Sequence, residues 1–326
     1  MSDQLGNKIL MDSEVESAIE EVGSGDAQRP GDVRPTTKRL TRRRLILRRF
    51  LRNKLAVAGV GVWIFLILLA LVGPMVSPWA FNDVDRRAYL KPPSQQHWFG
   101  TTQSGRDVLA LTMQGLRKSL LIGLLVALIS TTIAALVGSF AAYFGGWTER
   151  VALWVVDLLL VIPSFFLIAI LVTGGPQGSS SWLLLVLLLA AFGWVLSARV
   201  VRSLTLSVKE REYVLAARFM GLAAPKVIIR HILPNISSLL IIDATLGIGG
   251  AVLAETTLAF FGFGVQPPDT SLGTLIAEGQ RLATTFPWIF LAPATVLVIM
   301  VLSVNAIGDG LRDALDPNSQ SGGKAA

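Results

Sequence analysis

The chain has 326 residues and a formal net charge of +7, with hydrophobic residues at 52% and charged residues at only 16%. So sparse a charged complement does not cover that much apolar volume in water, which sets aside an ordinary soluble protein and points to a membrane protein. No cysteine occurs and His97 and His231 lie far apart, which excludes disulfides, a thiol nucleophile and a Cys/His metal cage.

Residues 1–37, rich in Ser, Gly, Asp and Glu, read as a disordered cytoplasmic tail. A long polar stretch opens the chain, without a short apolar core and small-residue cleavage site, so no signal peptide is expected. Residues 38–54, KRLTRRRLILRRFLRNK, form a basic juxtamembrane segment that contacts membrane lipid and keeps the amino terminus cytoplasmic. Arginines gathered beside apolar spans fit membrane topology better than nucleic-acid binding.

A bilayer core of roughly 30 Å takes about 20 apolar helical residues to cross. Six stretches meet or approach that length, near 55–76, 119–144, 151–173, 182–199, 236–264 and 287–308. The expected fold class is therefore an all-α polytopic membrane protein with six transmembrane helices and both termini inside the cell. Residues 55–308 form the membrane domain, with an external loop over 77–118 and a cytoplasmic loop over 200–235. Residues 309–326 form a cytoplasmic tail. Arg199, Arg202, Lys209, Arg211, Arg218, Lys226 and Arg230 then lie on the cytoplasmic side, as the positive-inside rule requires.

Asp157, Asp243 and Glu255 fall within predicted spans, where a charge costs about 2.5–3.5 kcal/mol on insertion scales, so each must face protein or water. One reading is an ion or proton relay; the simpler is a helix-packing contact. Small-residue patches in GLLVALISTTIAALVGSFAAYFGG and TLGIGGAVLAETT let helix backbones approach closely and suit a packed bundle.

Between the fourth and fifth spans stands EREYVLAARFMGLAAPKVIIRHILPN. From Glu212 to Met220 every residue tolerates a helix, and Gly221 can take the left-handed conformation that ends one. Pro225 suits the first turn of a second helix, expected to stop near Pro234. Helix, tight turn and helix, tethered to spans at both ends, can present the turn to a partner's cleft. A DNA-reading helix-turn-helix is disfavoured because PKVIIRHIL offers few polar side chains for base edges. A plain amphipathic linker remains an equal alternative on physical grounds.

The segment resembles the cytoplasmic loop of permease subunits in binding-protein-dependent ABC importers, with the pattern Glu-Ala-Ala, three residues, Gly, nine residues, Ile, one residue, Leu-Pro. Ala216, Ala217, Gly221, Leu233 and Pro234 occupy that frame. Leu215 replaces the glutamate, with Glu212 one turn earlier, and His231 replaces the isoleucine. HWFGTTQSGRDVLALTMQGLRKSL is similar to the external motif of the dipeptide and oligopeptide branch through Gly100, Thr101, Gly105, Arg106 and Asp107, with Thr102 at the usual aspartate. AETTLAFFGFGVQPPDTSLGTLI is similar to the signature of its C-type permease through Glu255, Leu258, Gly262, Gly264, Gln266, Pro267, Pro268 and Gly273. NAIGDGLRDALDP closes the chain in the same manner, and the resemblance covers about 40–318.

That resemblance implies the type I permease fold of ABC importers in the cell membrane, non-catalytic in itself. Its implied partners are a second, B-type permease, two ATP-binding subunits and an extracytoplasmic substrate-binding protein. Glu212, Ala216, Ala217, Gly221, Leu222, Leu233 and Pro234 would form the ATPase-coupling surface. ATP and Mg²⁺ would sit in the partner subunits; no Gly-rich phosphate loop ending in Lys-Ser/Thr occurs here. No metal or cofactor is expected on this chain, and no nucleic-acid partner. Read without the resemblance, Gly105 opens a turn that lets Arg106 and Asp107 pair or cap the next helix. Gly262, Gly264, Pro267 and Pro268 break the fifth span, and Asp309, Arg312, Asp313 and Asp316 brace the carboxyl end against the cytoplasmic loop. The alternative function is an ion-coupled transporter or channel using Asp157, Asp243 or Glu255.

Overall fold

The computed structural model of the protein describes residues 42–316 apart from 176, 177 and 179. The tail expected over 1–37, the start of the basic segment and the chain beyond 316 lie outside the described residues. Among the described residues all regular structure is helical, apart from an isolated antiparallel bridge between Thr101 and Asp107.

A basic helix α1 (Arg42–Arg52) leads to α2 (Lys54–Val76). Asn53 separates them, because its side chain accepts the Ala56 amide at 3.1 Å and so starts a new helix. After a long loop, α3 (Val108–Phe144) runs 37 residues, about 55 Å, which is well beyond the bilayer core. The sequence reading extended the loop to 118, because Gln114, Arg117 and Lys118 dilute the apolar run. The helix instead begins at the Asp107 cap, and its first turns bury Val108, Leu111 and Leu116.

Two expected spans are broken. α4 (Gly146–Val161) and α5 (Ser164–Thr173) meet at 77°. Pro163 lacks the N–H needed to continue the helix and holds Ile162 in an extended conformation. α6 (Ser181–Gly193) and α7 (Val195–Lys209) meet at 42°, so the fourth span continues to Lys209, past its expected end at 199. Next come α8 (Glu212–Phe219), α9 (Ala224–Val227), a π-helical turn (Ile228–Ile232) and α10 (Leu233–Phe260). The short α11 (Leu272–Gln280) and the long α12 (Pro287–Leu315) complete the described chain. Four helical stretches are long and apolar enough to cross a membrane alone, and six spans result if each bent pair is one.

α3 is the axis of the bundle, packed against α2, α4, α6, α7, α10, α11 and α12. Small residues let the backbones close up, as the sequence predicts. A Cβ at Gly138 would lie 2.5 Å from the Ala198 carbonyl of α7, and one at Gly123 2.8 Å from the Val252 side chain of α10. In lipid, which is as apolar as the helices themselves, the van der Waals contact of this close approach takes the place of the hydrophobic driving force that operates in water. Large apolar side chains such as Phe65, Leu68 and Leu71 point outward on α2, the pattern of a lipid-facing surface.

Candidate functional site

At one end of the bundle, α8 and α9 form an elbow. Its turn is closed by two hydrogen bonds, Leu222 N–H to Ala217 O at 3.2 Å and Gly221 N–H to Arg218 O at 3.0 Å. This is the Schellman arrangement, and it requires the left-handed φ of +80° found at Gly221. Beneath the turn Val214, Ala217, Val227, Ile228 and Ile232 form a buried cluster. Phe140 and Tyr143 of α3, Val208 of α7, and Leu222 and Leu233 pack on it. Lys209 donates to the Ala142 carbonyl at 3.0 Å. The elbow is thereby packed against the ends of α3 and α7.

The named elbow residues divide by direction. Ala217, Leu222 and Leu233 belong to the buried cluster or its flank, whereas Glu212, Ala216, Gly221 and Pro234 are exposed. Sequence reasoning missed the two most prominent side chains. Phe219 is 89% exposed and Met220 73%, side by side at the tip. The available signal was that both depart from the inward face set by Val214 and Ala217, at helical spacing.

Contrary to expectation, the second elbow helix does not stop at Pro234. It continues through the π-turn into α10 as one run, Ala224–Phe260. The Leu233 amide bonds to Ile228 O, five residues back, and this extra residue in the turn accommodates the N–H that Pro234 lacks. The elbow is therefore continuous with a helix long and apolar enough to cross a membrane. At the chain's far end, Asn53 Nδ2 donates to Asp313 Oδ2 at 3.3 Å and Arg49 to the Asp316 carbonyl at 3.2 Å. These contacts run to the α1–α2 junction, where the sequence reading had placed them on the loop.

At the opposite end of the bundle lies the motif around Gly100–Asp107. Asp107 caps α3, accepting the Ala110 amide at 2.8 Å through one oxygen and His97 Nδ1 at 2.9 Å through the other. His97 is 2% exposed, stacks on Trp79 with centroids 4.7 Å apart, and reaches Asp85 at 3.5 Å. Trp288, at the start of α12, donates to the Thr101 carbonyl at 3.3 Å. Gly100 and Gly105 both have positive φ within this knot, and Arg106 is exposed. Of the two expected roles for Arg106 and Asp107, capping by Asp107 is the one present, and His97 and Asp85 are partners the sequence did not disclose.

The three membrane carboxylates have separate surroundings. Asp157 of α4 pairs with Arg199 of α7, and Glu149 with Arg202 beside it, so two ion pairs lace these helices. Glu255 is fully buried, accepting Ser271 Oγ at 2.6 Å, and its other oxygen has no hydrogen-bond partner among the described residues. It lies against Gly273 at the start of α11, where Ser271 and Thr274 cap each other and the helix dipole favours negative charge. Nearby, Lys118 pairs with Asp269 at 2.7 Å and lies 4.6 Å over the Trp182 ring. Asp243 accepts Ser197 Oγ at 2.8 Å and Thr131 Oγ1 at 3.2 Å and borders a cavity of about 290 Å³. None of the three shares a hydrogen-bond partner with another, and no cluster of acidic or histidine side chains suited to a metal occurs among the described residues.

Comparison with known proteins gives these features a family. Residues 134–320 match the model of the binding-protein-dependent transport system inner membrane component, and residues 41–93 match the N-terminal TM domain of oligopeptide transport permease C. The chain is 53% identical over 285 residues to the oligopeptide transport system permease protein OppC of Mycobacterium bovis, covering 87% of this chain and 98% of that one. It is 39% identical to a putative peptide permease protein of Brucella suis, covering 83% and 90% of the two chains. Identity to the OppC of Bacillus subtilis is 35%, covering 82% and 87%. The elbow joined to a membrane helix, the capped motif at the opposite end and the helical bundle between them are thus those of a multi-pass membrane permease, and the chain belongs to the inner-membrane component family of binding-protein-dependent ABC transport systems.

Proposed function

We propose that this chain is one of two permease subunits of an ATP-driven importer of peptides, with the elbow on the cytoplasmic side and the Asp107 knot outside. The observation that carries the reading is the elbow: an apolar tip of Phe219 and Met220, standing free on a rigid base that is continuous with α10. An exposed aromatic beside a methionine, above a turn with no side chain at Gly221, has the shape and chemistry of an anchor for a partner's cleft. The partner is an ATP-binding subunit, one of two, which holds ATP and Mg²⁺. This chain binds neither and hydrolyses nothing. Closure of the ATPases moves their clefts; the elbow carries that motion into α3, α7 and α10, and the bundle exchanges an outward for an inward opening. A second, B-type permease completes the pathway, and an extracytoplasmic binding protein delivers the peptide.

Reconstitution tests the proposal. The two permeases, the ATPases and the binding protein, in proteoliposomes, are expected to accumulate peptide only with ATP and binding protein present. Uptake by this chain alone under a proton or sodium gradient, indifferent to ATP, would show the ion-coupled alternative, through Asp157, Asp243 or Glu255, to be correct.

A further inference from the structure

We infer that the cavity beside Asp243 is a transit site for the cationic amino group of a peptide crossing the bundle. This rests on the importer reading above and adds to it a place and a chemistry for the cargo.

Asp243 lies in the Ala224–Phe260 run, seven residues or about 10 Å inside the start of the fifth span expected at 236. A carboxylate at that depth must be matched by water or a cation. Of the other two membrane carboxylates, Asp157 pairs with Arg199, and Glu255, with Ser271 as its hydroxyl donor, is fully buried under the start of α11 and closed to a cargo. Asp243 has only the Ser197 and Thr131 hydroxyls, and among the described residues no Lys, Arg or His nitrogen lies within ion-pairing distance of it. Two neutral donors orient the carboxylate and leave its charge unneutralised.

The cavity of about 290 Å³ beside it is lined by Ser130, Thr131 and Ser197 on one side and by Gly247, Gly250 and Ala254 on the other. Gly250 is exposed, and a Cβ there would meet nothing within 4 Å, so the carboxylate is approached over bare backbone. A void of about 150 Å³ takes a benzene-sized guest; this one therefore has room for an amino terminus with its first side chain and some water. Positions 243, 247, 250, 254 and 257 share one face of α10 by their helical spacing, and Phe261 follows just past its end. Further along that face Thr257 and Phe261 line a second cavity, of about 880 Å³, with Phe165, Phe166 and Ile170. Apolar side chains of a cargo have an aromatic wall near the Asp107 end, and its ammonium group has the Asp243 carboxylate nearer the elbow end.

The chain has no cysteine, so a single one at Gly250 is a clean reporter. In the complete complex with cysteine-free partners, Gly250→Cys is labelled with cationic and with anionic methanethiosulfonates of similar size. The cationic reagent is expected to react about tenfold faster, the scale on which a charged cleft concentrates a counter-ion. The preference should vanish in Gly250→Cys with Asp243→Asn, and a tripeptide with a free amine should slow labelling more than its N-acetylated form. Equal rates for the two reagents, the same ratio with Asp243→Asn, or no labelling in any nucleotide state overturns the inference. So does failure of the Asp243→Asn complex to assemble, which would make the carboxylate an ion-pair partner of another subunit. A complex that keeps the labelling preference but takes up no peptide refutes the importer reading instead and leaves the cation-attracting cavity in place.

Discussion

Truncating the elbow tip separates docking from folding. Phe219 is 89% exposed, so Phe219→Ala removes almost no contact within this chain and should change its own stability by no more than about 0.5 kcal/mol. If the ring is buried in an ATPase cleft, the same change forfeits the burial of an aromatic side chain, worth about 2 kcal/mol. That corresponds to about a thirtyfold weaker dissociation constant for the ATPase subunits. The assay is titration of ATPase subunits onto the permease pair in nanodiscs, read by binding-protein-stimulated ATP hydrolysis, with thermal melting of the permease pair as the folding control. Met220→Ala should act in the same direction. The combined variant is expected to lose coupled uptake while melting as the unmodified pair does. Unchanged ATPase affinity and normal peptide uptake in the double variant would refute the docking role of the tip.

Gly221→Val is expected to insert normally yet abolish peptide-stimulated ATP hydrolysis. Its Cβ meets nothing within 4 Å, so the cost is that of a left-handed φ at a β-branched residue, about 1–2 kcal/mol, concentrated at the turn. Asp107→Ala should lower the melting temperature of the complex by removing both the α3 cap and the His97 partner, a cap alone contributing about 1 kcal/mol. Asp107→Asn keeps a capping oxygen and should recover most of that loss; equal melting of the two variants would rule out the cap. Ser271→Ala strips Glu255 of its hydroxyl donor and should destabilise by about 3 kcal/mol, because a buried carboxylate is left unsatisfied. Adding Glu255→Gln should restore part of the stability in the same melting assay, and no recovery would refute that assignment.

Composition alone placed this chain in the membrane, because apolar runs of about 20 residues have few other fates in water. Local backbone chemistry was equally legible. Gly221 had to be left-handed to end α8, Pro225 had to fall in a first turn, and Asp107 was a ready cap, each set by residues a few positions apart. The small-residue patches of α3 and α10 announced close helix contact, although not which helices would meet. Tertiary structure decided what depends on direction and on distant partners. Pro234 reads as a stop until a π-turn, seated on the cluster around Ile228 and Ile232, carries the helix past it. Phe219 and Met220 lie off the Val214–Ala217 face by helical spacing, but it is the burial of that face in the folded cluster that makes it the inward one and leaves them exposed. Asp157, Asp243 and Glu255 look alike along the chain, yet their partners lie 42, 46 and 16 residues away. The environment of a carboxylate is fixed by which helices surround it, and that choice belongs to the folded bundle.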